Sequence, residues 1–156
     1  MTGRRSMWLY VLILPLVIVA LVLLWLGVAL ALSHVGGWSV LAESYPARPQ
    51  PAVTDLGTAS LMLDRGFMVV KYNRSVHLTL SPEGLGMETY GLFHRGHPPV
   101  LIPWAEVESC ERQRLLFGEA VALTLRSHKV NILINGPEAE AVLAAWAGHS
   151  RPGGLP

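Results

Sequence analysis

A long apolar segment opens the chain, and its pattern differs from everything that follows. Residues 7–32 hold no charged side chain over 26 positions, and at about 1.5 Å per residue such a helix exceeds a hydrocarbon core of about 30 Å. Trp8 and Tyr10 near its start and Trp25 nearer its end are typical of rings in the headgroup region. The segment predicts one transmembrane helix with these three residues as aromatic anchors.

A secretory signal peptide is the alternative interpretation of this segment. The Ala-Leu-Ala sequence at 29–31 resembles a small-x-small cleavage motif, but the stretch is longer than the usual h-region of about 7–15 residues, which favours an uncleaved signal anchor. Arg4 and Arg5 precede it, and the next basic residue is Arg48. The positive-inside rule therefore predicts that residues 1–6 are cytoplasmic and that the domain lies across the membrane.

A junction of mixed pattern occupies residues 33–53. A Gly-Gly pair at 36–37 breaks the helical pattern. Apolar side chains then recur at the i, i+3, i+4 and i+7 positions of a short helix, namely Trp38, Leu41, Ala42 and Tyr45. Either Trp38 and Tyr45 lie in the membrane interface, or they pack on the domain as core. Prolines at 46, 49 and 51 predict an extended connector, so the folded domain is expected to begin near Thr54.

From residue 54 onward the hydrophobic period changes from helical to two. Alternation at 76–80, 121–125 and 130–134 predicts half-buried strands. Weaker runs lie at 60–64, 67–72, 85–90, 100–102 and 107–112. Ser127-His128 is short enough for a tight hairpin, and the Ser-Pro-Glu-Gly sequence at 81–84 predicts a β-turn. About seven or eight antiparallel strands are expected.

The pattern becomes helical once more near the C-terminus. Pro137 suits the first position of a helix, Glu138 and Glu140 favour its positive end, and Gly148 is expected to end it. The apolar face of this helix comprises Ala139, Val142, Leu143 and Trp146. A mobile tail, residues 149–156, follows. The predicted fold class is an α+β membrane protein, with one N-terminal transmembrane helix and a small antiparallel β domain, residues 54–148, capped by a C-terminal helix.

Composition narrows the function classes. Of 156 residues, 51% are hydrophobic and 15% charged, which suits a lipid-embedded segment plus one small domain. Beyond residue 32 there are ten basic and eleven acidic residues, a balance that argues against a nucleic-acid partner. The lone Cys110 allows neither an internal disulfide nor a cysteine-based metal site, and it is expected to be a small packed side chain in a strand rather than a reactive thiolate.

One stretch of the chain resembles a known family. It includes the run Leu101-Ile102-Pro103-Trp104-Ala105-Glu106-Val107, then a strand, Leu116-Phe117-Gly118, two more strands and the terminal helix. Over residues 100–147 it resembles the latter half of bacterial pleckstrin-homology-like (PH-like) domains of small membrane proteins. The resemblance implies two packed, near-orthogonal antiparallel sheets, a sandwich or partly open barrel, capped by a C-terminal helix. It does not imply phosphoinositide binding, because Arg65, Lys71 and Arg74 are scattered rather than clustered.

A second resemblance concerns location. The same stretch, with Gly37-Trp38, Leu41-Ala42, Tyr45-Pro46 and His97-Pro98-Pro99, is similar to short bacterial proteins that have one N-terminal span and no assigned activity. This resemblance implies a single-pass protein of the bacterial inner membrane. With the arginine bias, the domain is expected in the periplasm or outside the cell.

Two histidines are the main candidates for chemistry. His94 and His97 could bind a metal ion if a third ligand folded nearby; the candidates are His77, His128 and Glu106. The favoured interpretation is a polar loop shaped by glycine and proline. Glu106 could act as a general base, but a carboxylate that caps backbone donors is favoured. Because the sequence has no nucleophile elbow, P-loop or dinucleotide fingerprint, we predict neither an enzyme nor a cofactor.

Three consecutive apolar residues, Leu115, Leu116 and Phe117, cannot all face one core along an extended strand. They are the predicted partner-binding patch, with a bend or bulge in the core as the competing explanation. The predicted function is a non-catalytic, membrane-anchored interaction or scaffold module, such as an accessory or assembly subunit of a membrane protein complex. The alternative is a membrane-tethered metal- or ligand-binding protein that uses the loop with His94 and His97.

Overall fold

The computed structural model describes residues 3–51, 53–91, 94, 96–115 and 118–150, with side chains from residue 10 onward. Its helices are α1 (Gly3–Gly36), α2 (Trp38–Ser44), a 3₁₀ helix (Trp104–Glu106) and α3 (Glu138–Ser150). Its strands are β1 (Thr54–Asp64), β2 (Val69–Leu80), β3 (Gly84–Thr89), β4 (Val100–Pro103), β5 (Val107–Leu115), β6 (Gly118–Leu125) and β7 (Asn131–Asn135). The predicted combination of one long apolar helix, antiparallel strands and a C-terminal helix is confirmed.

The first helix extends beyond the predicted segment at both ends. Its portion Tyr10–Gly36, 27 residues, is long and apolar enough to cross a membrane, and no residue of its most apolar stretch is buried. By length and composition alone, a signal sequence has the same properties. Gly37 has a φ of 89°, a left-handed conformation that an L side chain rarely adopts. The predicted break between the long helix and a short second helix is therefore confirmed.

The seven strands form one curled antiparallel sheet in the order β4-β3-β2-β1-β7-β6-β5. The two outermost strands, β4 and β5, are consecutive in the chain and are joined only by the three-residue 3₁₀ helix. A connection of that length requires the two edges of the sheet to approach each other. The sheet is therefore bent into a half-barrel around one core.

Two of the predicted strands are one long strand in the structure. The predicted run at 67–72, from Val69 onward, and the run at 76–80 both belong to β2, which is interrupted by a bulge. Its register with β1 shifts from Leu61↔Tyr72 to Ala59↔Val76, so two residue steps in β1 face four in β2. At the bulge, Arg74 has a φ of 43°. The intervening polar residues therefore bend a strand rather than separate two, and the described residues form seven strands, the lower of the two numbers expected.

The predicted turns are present, and one of them is longer than expected. The Ser81 N–H donates to the Gly84 carbonyl at 2.9 Å, which closes the β2–β3 turn. Gly84 also packs directly on the Ile102 carbonyl, leaving no space for a Cβ. Ser127 and His128 join antiparallel β6 and β7 as expected, but they lie in a five-residue loop, 126–130, rather than in a two-residue turn.

The third helix packs its apolar face on the sheet, as predicted. Ala139 and Val142 are buried, and the rest of the face lies against the core. The helix does not end at Gly148, because it continues to Ser150, whose hydroxyl donates to the Trp146 carbonyl at 2.8 Å. His149 and Ser150 therefore belong to α3 rather than to the predicted tail, and residues 151–156 lie outside the described part of the chain.

The short second helix belongs to the core. Trp38 and Leu41 are both 0% exposed, while Ala42 and Tyr45 are half-buried and packed against the core. The expectation that Trp38 lies in the membrane interface is corrected, because no part of its ring is accessible to lipid. Tyr45, the residue that follows α2, is also hydrogen-bonded to the sheet, because the Leu101 N–H of β4 donates to the Tyr45 carbonyl at 2.9 Å. The folded unit thus includes α2 and starts before Thr54.

Candidate functional site

The end of α1 is docked on the β domain. Ala29 and Ser33 are buried on one side of the helix, and Gly36 is in contact with Val70 on β2. Arg65, in the β1–β2 turn, donates from Nη1 to the His34 carbonyl at 3.1 Å. We call this contact the α1 junction. The α1 junction therefore fixes the orientation of the β domain relative to the long helix.

An interior aromatic cluster lies next to the α1 junction. The Trp38 ring centroid is 5.5 Å from that of Tyr72 and 5.3 Å from that of His97. The Tyr72 hydroxyl is hydrogen-bonded to His97 Nε2 at 2.9 Å, and Trp38 Nε1 donates to the Pro98 carbonyl at 2.9 Å. Burial raises the pKa of the Tyr72 phenol, so this group stays protonated. The cluster holds the loop before β4 against α2.

The structure places the two histidines proposed as metal ligands in different environments. His97 is 1% exposed and takes part in the interior cluster. His94 is about half exposed and lies 3.8 Å from a Glu88 carboxylate oxygen. Within the residues that the structure describes, no group of three His, Cys, Asp or Glu side chains could hold a metal ion. The metal-binding alternative therefore gains no support from the geometry.

The suggested third ligands have other partners. His77 Nε2 lies 3.1 Å from an Asp55 carboxylate oxygen. Glu106 accepts hydrogen bonds at Oε2 from the Ser127 hydroxyl at 2.7 Å and from the Tyr45 hydroxyl at 3.0 Å. The His128 and Tyr45 rings pack in a T-shaped arrangement with 5.5 Å between their centroids. Three segments, the end of α2, the 3₁₀ helix and the β6–β7 loop, are thus joined in one surface cluster.

The electrostatics of this surface cluster oppose general-base chemistry at Glu106. The hydrogen bonds from Ser127 and then from Tyr45 lower the pKa of the Glu106 carboxyl. Burial and the neighbouring carboxylate raise the pKa of Tyr45. A catalytic base near neutral pH needs the opposite shift of a carboxyl pKa. Glu106 is therefore a stable acceptor, although its donors are side-chain hydroxyls rather than the backbone groups expected.

The single cysteine is a packing residue in the structure, as predicted. Cys110 is buried on β5 within the core. Burial, with a smaller contribution from Glu111, raises the pKa of its thiol to about 11. The reactive thiolate is thus strongly disfavoured at neutral pH.

Two open clefts are each lined by more basic than acidic side chains. One, of about 530 Å³, lies beside the α1 junction, and its lining includes Arg65, Arg126 and Lys129 together with Glu108. The other, of about 340 Å³, lies between β1, β2 and the start of α3, and its lining includes Lys71, Arg74 and Glu138. Each cleft can receive an anionic group, but a carboxylate within each weakens the positive potential.

The predicted partner-binding patch is only partly described. Leu115 is half-buried at the end of β5, whereas Leu116 and Phe117 lie outside the described residues. The strand that carries Leu115 is outermost in the described sheet. Its residues 111–114 are exposed, and Arg112 forms a paired contact with Glu140 of α3 at 2.9 and 2.6 Å. The second half of β5 thus presents a charged edge to its surroundings.

Sequence reasoning missed the residues that make the α1 junction. Arg65 was noted only as one of several scattered basic residues, and Val70 only as part of a strand. Gly36 was expected solely to help break a helix, although the lack of a side chain there also permits contact with Val70. The small residues along one side of α1, Ala29, Ser33 and Gly36, were the available signal, because their spacing of about four places them on one helix face.

No protein-family model and no curated protein sequence matches the chain. Among solved structures, the chain is similar to the C-terminal domain of an unknown protein from Leishmania infantum, with 14% identity and a TM-score of 0.43. The match covers 61% of this chain and 85% of that one. A likeness at this level does not establish a shared family.

Proposed function

We propose that the protein is a non-catalytic, membrane-anchored interaction module, in which α1 is an uncleaved anchor and the β domain receives another membrane protein. The observation that carries this proposal is the α1 junction. Ala29 and Ser33 are buried against the domain, so the end of the apolar helix is part of the folded unit. A cleavable signal peptide has no need of such packing, whereas an anchor that orients a domain does.

The proposed domain type is a PH-like partly open barrel, because the strands form one curled sheet rather than two separate sheets. Strands β1–β4 form one antiparallel meander and β5–β7 form a second, and the two meet along β1 and β7. The C-terminal helix packs on both parts. This order supports the resemblance stated above, and the fold by itself implies no ligand. Arg4 and Arg5 support the proposed cytoplasmic N-terminus, and the proposed bacterial inner membrane rests on the resemblance alone.

The proposed partner surface is the outer edge of β5, which ends at Leu115, together with Leu116 and Phe117, the next two residues in the sequence. An outermost strand offers unpaired backbone groups to an added strand. The charged edge residues Glu111, Arg112 and Arg114 disfavour pairing between identical edges while leaving complementary partners possible. Tethering to one bilayer raises the effective concentration of a partner that is also anchored there, so a modest interface suffices.

The anchor is tested by the mass of the mature protein in membranes. We expect the intact chain to remain in the membrane pellet after alkaline carbonate extraction and to retain its N-terminal residues. A mature chain that begins just after residue 31 and is released by carbonate would contradict the anchor, because that mass is the product of cleavage at the Ala-Leu-Ala motif.

The partner surface is tested by purification in mild detergent with quantitative mass spectrometry. We expect a near-stoichiometric membrane protein to co-purify with the parent chain, and to be lost when Leu116 and Phe117 are both changed to Ser. Val53→Ser is the matched control, because Val53 is an exposed apolar residue outside β5. Retention of the partner by the double variant, or equal loss in the control, would refute this surface.

A further inference from the structure

An exposed apolar turn lies beside the α1 junction. The β1–β2 turn and the residue after it carry Phe67, Met68 and Val69 in succession, and their side chains are 71%, 43% and 56% exposed. Three adjacent large apolar side chains at a hairpin tip are unfavourable in water, and such patches mark contacts with protein or membrane. The turn therefore needs an apolar surface to cover it.

Two contacts determine where this turn lies along α1. The Arg65 Nη1 group donates to the His34 carbonyl at 3.1 Å. At Gly36 an added Cβ would come within 2.8 Å of Val70 Cγ2, so helix and strand touch there. The turn is thus held beside the last turn of α1, at the level of residues 34–36.

The exposed surface of α1 stays apolar almost to that level. Val28, Leu30 and Leu32 are all exposed, and the next exposed residue, His34, is polar. In a spanning helix this change marks the boundary between the hydrocarbon core and the headgroups. The turn therefore lies close to the headgroup level of α1.

The charge at the turn suits a lipid surface better than a wholly apolar partner. The Arg65 guanidinium carbon lies 5.6 Å from the Phe67 ring centroid, so a cation and an aromatic face share one site. Arginine covers apolar surface with its stem while its head stays in the polar layer, and phenylalanine enters the headgroup–acyl boundary.

We propose that the β1–β2 turn is a second membrane contact, in which Phe67, Met68 and Val69 insert into the headgroup region of the leaflet from which α1 emerges. The inference rests on the proposed membrane anchor. It adds that the domain lies against the bilayer in one orientation, with a helix and a hairpin tip as two separate supports.

Fluorescence of labelled single-cysteine variants in proteoliposomes tests this contact. The full chain in a Cys110→Ala background carries the environment-sensitive dye NBD at Met68→Cys. The matched control is Glu83→Cys, in the exposed turn at the other end of β2. Val17→Cys, exposed on α1, reports on the anchor. The vesicles are phosphatidylcholine with or without a lipid that carries a nitroxide near its headgroup, and iodide is the aqueous quencher.

We expect blue-shifted emission at positions 17 and 68, nitroxide quenching at position 68, and iodide quenching at position 83. If position 68 behaves like position 83 while position 17 is protected from iodide, the second contact is refuted and the anchor stands. If position 17 is also open to iodide, the anchor itself fails. With the label at 68, Phe67→Ser and Val69→Ser together should restore iodide quenching, and an unchanged signal would mean that the dye inserts alone, which would overturn the proposal.

Discussion

The same residue types form two polar clusters in opposite environments. Tyr72 and His97 are hydrogen-bonded in the interior, against the Trp38 ring. Tyr45 and His128 meet at the surface, where the Tyr45 hydroxyl donates to Glu106. Water can replace a lost partner at the surface but not in the interior, so hydrogen bonds of the same kind contribute unequal free energies. The interior cluster should therefore control stability, while the surface cluster should chiefly control its pH dependence.

The largest expected effect on stability comes from removing the Trp38 ring at the centre of the interior cluster. Trp38→Ala deletes a fully buried ring and should lower the free energy of unfolding by about 3–5 kcal/mol. Denaturant unfolding of the detergent-solubilised protein measures the loss. Val53→Ala is the control, since an exposed position should change stability by no more than about 0.5 kcal/mol. A loss from Trp38→Ala as small as that of the control would contradict its place in the core.

A smaller change tests the hydrogen bond inside the interior cluster. Tyr72→Phe keeps the ring but removes the hydroxyl partner of His97 Nε2, and it should lower the free energy of unfolding by about 1–2 kcal/mol. Tyr45→Phe at the surface cluster is the matched comparison and should cost less, measured by the same unfolding experiment. Equal losses for the two variants would show that burial does not distinguish the clusters.

The smallest expected effect concerns Glu106. Its pKa is lowered in the folded state from a reference of 4.5, so its ionised form contributes stability above that value, and the contribution is lost as pH falls through the lower folded pKa. Glu106→Gln should cost less than about 1 kcal/mol at neutral pH. Unfolding from about pH 7 to about pH 3 should show the difference from the parent shrinking. Glu43→Gln is the control, and a pH-independent difference for Glu106→Gln would disprove the assignment.

Sequence periodicity predicted elements well where the signal was local. The long helix, the strands at 121–125 and the apolar face around Val142 follow from spacing within one element, and the structure contains each of them. The division of β2 was wrong, because a polar interruption can be a loop or a bulge. Whether the interruption at Arg74 is a loop or a bulge depends on a contact with Ser60 of β1. The Arg74 backbone N–H donates to the Ser60 hydroxyl at 2.9 Å.

The candidate site was much less predictable than the elements. His94 and His97 are three residues apart, yet His94 is exposed whereas His97 is hydrogen-bonded in the interior to Tyr72, 25 positions earlier in the chain. Trp38 fitted either lipid or core, because an amphipathic ring suits both environments. Contacts with residues distant in the chain, Tyr72 of β2 and Pro98 of the loop before β4, placed its ring inside.

The sequence by itself determined one long apolar helix, an antiparallel set of strands and a C-terminal amphipathic helix, because hydrophobic period and turn residues act over a few neighbouring positions. Tertiary structure alone decided that α2 lies in the core, that β2 is one bent strand and that the β1–β2 turn rests beside the end of α1. Those outcomes depend on segments distant in the chain competing for the same core, and no local pattern encodes which of them will meet.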